Sequence, residues 1–170
     1  TCALPICTTR SNRSTGRYSM AVSFRVHAEA YVAAIERGSP LASVRQSLAN
    51  LYAAGLALNA MQDSTGWDDP PGISHEDWRE VYDAIARNLK AQLYHNIISD
   101  PFQVAEEPKL AVGDLADDLA DVWRDMTEGL LALDKGVPES AALWHWKLMF
   151  DSHWGVHAVR ALGVMHKSAS

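Results

Sequence analysis

The sequence predicts an all-α protein: a single-domain bundle of four to six helices with the C-terminal helix central. Three observations predict it. Apolar residues recur at helical spacing through nearly all of the chain after Met20. Glycines, prolines and N-capping residues fall where those stripes stop and start. No segment reads convincingly as a strand: Val26, Ala28, Ala30 and Val32 alternate, but their Ala- and Glu-rich surroundings fit a helix over a longer span. A length of 170 residues suits one domain with its own core.

The elements follow in order. Phe24, Ala28, Tyr31 and Ile35 form the first stripe, and Gly38 is placed to end it. Ser39 then offers an N-cap and Pro40 a first-turn proline. Leu41, Val44, Leu48, Leu51 and Tyr52 make the second stripe, antiparallel to the first across so short a link. Residues 59–73 read as a loop with Gly66, Pro70, Pro71 and Gly72, carrying Asp63, Trp67, Asp68 and Asp69. Only Thr65 supplies an oxygen between Asp63 and Trp67, which excludes the alternating-ligand calcium loop. Ser74 and Asp77 resemble a capping box, and Trp78, Val81, Tyr82, Ile85 and Leu89 follow as the third stripe. Residues 91–99 fit a short helix ambiguously, and Asp100-Pro101 breaks it. A fourth helix spans 114–135, with Leu115, Leu119, Val122, Met126 and Leu130 in register and Gly136 beyond. Pro138 opens the last helix, expected to run to His166.

Residues 1–19 stand apart as a disordered basic leader or upstream tail, with the helical domain at 20–170. The leader holds Cys2, Cys7, Arg10, Arg13 and Arg17 and no acid. With its three arginines set aside, 12 of the 15 basic residues face all 21 acidic ones, a formal charge of −9. Such a domain has no direct electrostatic grip on nucleic acid or anionic lipid. Without cysteine it has no thiol nucleophile and no Cys-based zinc site. Cys2 and Cys7 alone lack a second ligand pair. No apolar run approaches membrane-spanning length, and Walker A, dinucleotide and nucleophile-elbow motifs are missing. These exclusions point to a cytoplasmic protein.

The most distinctive stretch is C-terminal. It reads Glu107-Pro108, then Val112-Gly113-Asp114-Leu115-Ala116-Asp117-Asp118-Leu119-Ala120-Asp121-Val122-Trp123-Arg124-Asp125. Trp144, Trp146, Phe150 and His153-Trp154-Gly155-Val156-His157 follow. The combination of an acidic helix with a Trp/His-rich one resembles an uncharacterised bacterial all-helical family, the domain-of-unknown-function family 5063, over residues 20–166. The resemblance implies a helical fold. It brings no activity, cofactor or partner and transfers no functional residue.

Two groups of residues can carry chemistry. Asp114, Asp117, Asp118, Asp121 and Asp125 share a helical arc of roughly 100°. They read either as a solvated face, with Asp114 as N-cap and Asp117 in the first turn, or as a row of hard-cation ligands. In the second case Glu76, Glu80 and Asp83 would supply a facing row, as in helical nucleotide pyrophosphohydrolases. His153 and His157 share a face at i, i+4 and make half of an imidazole metal site. Asp118, Asp121, Asp125 or His145 would complete it. The metal-free alternative is a pair of packed, hydrogen-bonded histidines. Of the six tryptophans, Trp144 and Trp146 lie about 160° apart on one helix, so that helix contacts neighbours on two sides.

Three functional expectations result. The first is a non-enzymatic interaction or accessory module, using the acidic helix face and aromatic patches toward another protein. The second is a metal-dependent hydrolase of a phosphate ester or nucleotide. The third is a small-ligand or metal-binding bundle without catalysis. A divalent metal is the candidate cofactor, with His153, His157, Asp118, Asp121 and Asp125 as its candidate ligands. A concave pocket lined by the Asp row and the His pair favours the metal readings, and a convex acidic face favours the first.

Overall fold

The computed structural model describes residues 13–58, 72–89, 94–98 and 110–168, with side chains from residue 24 onward apart from that of Ile98. Its elements are α1 (Arg13–Glu36), α2 (Leu41–Ala57), α3 (His75–Leu89), β1 (Tyr94–Ile98), β2 (Leu110–Asp114), α4 (Leu115–Asp134), α5 (Glu139–Ser152) and α6 (Trp154–Ser168). The boundary expected at Met20 falls inside α1. Cys2 and Cys7, most of the 59–73 loop, and the connector with Glu106 and Glu107 lie outside the described residues.

Each stripe lies where its periodicity placed it. Phe24, Ala28, Tyr31 and Ile35 of α1 are buried, as are Val44, Leu48 and Leu51 of α2 and Trp78 and Ile85 of α3. Helix α1 ends with Gly38 at φ 59°, its amide bonded to the Ile35 carbonyl and that of Ser39 to Ala34. Gly136, at φ 85°, ends α4 in the same way. Ser39, expected to cap α2, is occupied in closing α1. Pro40 holds the cap position, and its carbonyl accepts from the Ser43 and Val44 amides at 2.8 and 3.1 Å. The Ser74 hydroxyl oxygen does cap α3, accepting from the Asp77 amide at 3.0 Å while donating to the Asp77 carboxylate at 2.6 Å.

Two expectations need correction. The described residues include a pair of short strands where none was expected. Strand β1 replaces the short helix considered over 91–99 and pairs antiparallel with β2, Tyr94 opposite Asp114 and Asn96 opposite Val112. Tyr94, Ile97, Ile98 and Val112 favour the pleated state, and a five-residue segment is too short for periodicity to separate strand from helix. The single long C-terminal helix is two. It breaks at His153 (φ −143°, ψ −85°). The missing side chain at Gly155 permits the break, because a Cβ there would stand 2.3 Å from the Phe150 carbonyl oxygen. Both halves remain interior, with Trp146 and Trp154 fully enclosed. They share the centre with α4, which packs against α1, α3, α5 and α6.

Buried hydrogen bonds tie the bundle to α4 and to the break. Tyr31 donates to the Leu119 carbonyl at 2.9 Å, Trp146 to the Asp125 carbonyl at 3.2 Å, and Trp154 to the Trp146 carbonyl at 3.0 Å. Each gives an otherwise unsatisfied buried N–H or O–H a partner. Among the described residues, no helix is long and apolar enough to cross a membrane.

Candidate metal centre

The site is built where α4 faces the α5–α6 break. Asp114 caps α4, its Oδ1 accepting from the Ala116 amide at 2.8 Å and its Oδ2 from the Tyr82 hydroxyl at 2.8 Å. That second bond holds the Tyr82 hydroxyl in its neutral form, with its pKa pushed up to about 12. Asp117 is half-buried, and burial raises its pKa. The next three acids turn inward. Asp118, Asp121 and Asp125 are 2%, 9% and 1% exposed. They are not the solvated face that an interaction module would use. Of the five described tryptophans, Trp78, Trp123, Trp146 and Trp154 are buried and Trp144 is partly buried.

Both histidines meet this row despite the helix break. His153 Nδ1 lies 2.7 Å from Asp125 Oδ2, and His157 Nδ1 lies 2.7 Å from Asp118 Oδ1. A carboxylate only accepts, so each Nδ1 carries the proton. The imidazole Nε2 atoms point to a third carboxylate: Asp121 Oδ2 is 3.9 Å from that of His153 and 3.6 Å from that of His157. The two rings stand 4.8 Å apart between centroids. One donor atom each from Asp121, His153 and His157 falls within 4.8 Å of the others.

That arrangement has a specific electrostatic character. In a neutral ring protonated at Nδ1, Nε2 presents a lone pair, and here it faces the lone pairs of Asp121. Two distances beyond hydrogen-bond range do not bridge such groups. A cation between them would: donors about 2.1 Å from a common ion stand roughly 3–3.5 Å apart. The Asp125 hydrogen bond raises the His153 pKa and so favours a proton on that ring in the metal-free state. Arg124 supplies a fixed positive charge at the rim, its guanidinium 3.0 Å from Asp121 Oδ1 and 4.0 Å from Asp125 Oδ1.

All five residues singled out in the sequence therefore come together, in two tiers. Asp121, His153 and His157 converge, while Asp118 and Asp125 stand behind the imidazoles. Other candidates lie elsewhere. His145 sits 3.9 Å from Glu128, with its pKa lowered by burial, and Glu76, Glu80 and Asp83 are exposed on α3. The helical pyrophosphohydrolase analogy thus loses its second row. Sequence reasoning missed Arg124, whose signal was its position three residues after Asp121 and one before Asp125. It also missed His95, whose Nε2 is 3.3 Å from Asp118 Oδ2, because the strand carrying it was missed.

Fold and site together define a helical bundle with an interior His–Asp cluster. The chain belongs to the family of the DUF5063 domain of unknown function, which matches it over residues 17–169. It is similar to the crystal structure of protein BF1032 from Bacteroides fragilis, with a TM-score of 0.72 and 17% identity, covering 89% of this chain and 92% of that one. At that identity the likeness shows the fold alone. No curated protein matches the sequence.

Proposed function

We propose that this protein is a cytoplasmic, divalent-metal-binding helical bundle. The ion is held by His153 Nε2, His157 Nε2 and the Asp121 carboxylate. One observation carries the reading: both Nδ1 atoms are tied to buried carboxylates, so both Nε2 atoms face Asp121. Metal-binding histidines are oriented in this way, with an outer carboxylate fixing the tautomer and raising the basicity of the ligating nitrogen. Two imidazoles and one carboxylate suit zinc, ferrous iron or a similar ion rather than calcium or magnesium.

Three protein donors leave coordination positions open, which favours a second reading, metal-assisted hydrolysis of a phosphate ester. An open position lets an ion carry and acidify a water molecule. The first test is elemental analysis of untagged protein. About one equivalent of a single transition metal per chain is expected, falling to background in His157→Ala. Background metal in the wild-type protein, with no uptake on adding zinc or ferrous iron, overturns the reading.

A further inference from the structure

Beside the His–Asp cluster, β1 and α6 enclose a groove of about 540 Å³. Its walls differ in character from the rest of this acidic protein. Arg160 and Lys167 line it from α6, and His95 and Asn96 from β1, with Val159 and Val164 forming an apolar flank. Among the described residues, no aspartate or glutamate lines it. Arg160 is half-buried, and among the described residues it has no ion-pair or hydrogen-bond partner. The other described arginine beside a buried site, Arg124, is by contrast paired with two carboxylates. Both ring nitrogens of His95 are buried and make no hydrogen bond among the described residues.

An unpaired, partly desolvated guanidinium beside an ammonium group and an amide is a recognition set for an oxyanion. The guanidinium fork matches two phosphoryl oxygens, and a lysine adds a point charge at the mouth. Asn96 can donate a further hydrogen bond. We propose that this groove binds the phosphoryl group of a small organic phosphate. Arg160 is the principal contact, and the substituent lies along Val159 and Val164. His95 marks the inner end. It reaches toward Asp118, the carboxylate that orients His157, so the groove and the cluster are neighbours. The groove's own groups do the binding, and the inference does not depend on an ion in the cluster.

The test is a titration of the full-length protein with phenyl phosphate and with inorganic phosphate, followed by calorimetry, in buffer with and without EDTA. One saturable site is expected, tighter for phenyl phosphate because of its apolar ring, and still present in EDTA. Arg160→Gln should weaken it about tenfold or more, as loss of a charge-assisted pair does. Lys167→Gln should weaken it less, being exposed and screened. Arg87→Gln, an exposed arginine on α3, serves as the control for general charge. Equal binding by wild type and Arg160→Gln, equal losses in Arg160→Gln and Arg87→Gln, or no saturable binding overturns the proposal. Because EDTA removes the metal, failure of the metal reading leaves this result to be judged separately.

Discussion

Asp118, Asp121 and Asp125 occupy one face of one helix, yet they do different things. The difference is set by which imidazole nitrogen each one meets. Asp118 and Asp125 each lie 2.7 Å from an Nδ1, whereas Asp121 stands more than 3.5 Å from both Nε2 atoms. Helical spacing could bring these residues to one place, because an i, i+3, i+4 pattern fixes a face. It could not assign ligands and supports, because ring orientation depends on contacts between α4 and the α5–α6 break. His95 was illegible for a related reason, since its role comes from what it approaches, whereas Arg124 carried a signal in its spacing from Asp121 and Asp125. The two-tier arrangement makes a residue-scale prediction. Asp118→Asn and Asp125→Asn should each bind zinc about 10–100-fold more weakly, as loss of an outer-shell carboxylate does. Asp121→Ala should abolish the high-affinity site. Calorimetric zinc titration separates these outcomes, and equal affinity in wild type and both asparagine variants would remove the supports from the account.

At the scale of elements, the four stripes from Phe24 to Met126 were readable because each repeats for several turns with its own start and stop signal. Residues 94–98 were not, since a strand of five residues carries little periodicity and owes its state to pairing with β2. The break at His153 was hidden by helical spacing that continues through it. Gly155 was its only local mark, and the close approach to Phe150 explains it. The break matters because it seats Trp154 against Phe150, with ring centroids 4.7 Å apart, and sends the Trp154 indole N–H to the Trp146 carbonyl. Trp154→Ala should therefore cost about 3–5 kcal/mol in chemical denaturation, the range for a large buried aromatic. A loss under about 1 kcal/mol, no more than one ordinary hydrogen bond, would mean that Trp154 does not anchor the break.

Across the whole molecule, a chain with a formal charge of −6 buries three carboxylates side by side in its interior. Uncompensated burial of charge is strongly unfavourable. Arg124 and two imidazoles answer part of it. The Asp125 hydrogen bond favours the charged form of His153, and on the proposed reading a bound dication would offset the carboxylates further. On that reading ion binding would stabilise the fold through mass action, by about 2.7 kcal/mol at a hundredfold excess over Kd. The charge balance and the absent motifs were legible in the sequence and set aside several classes of function, but the sign of the acidic row, buried rather than solvated, was not. Cobalt(II) titration of untagged protein, read by visible absorption, tests the central claim most directly. Ligand-field bands should saturate at one equivalent in the wild type and not develop in Asp121→Ala. Identical spectra for the two proteins, or no bands in either, would contradict that claim.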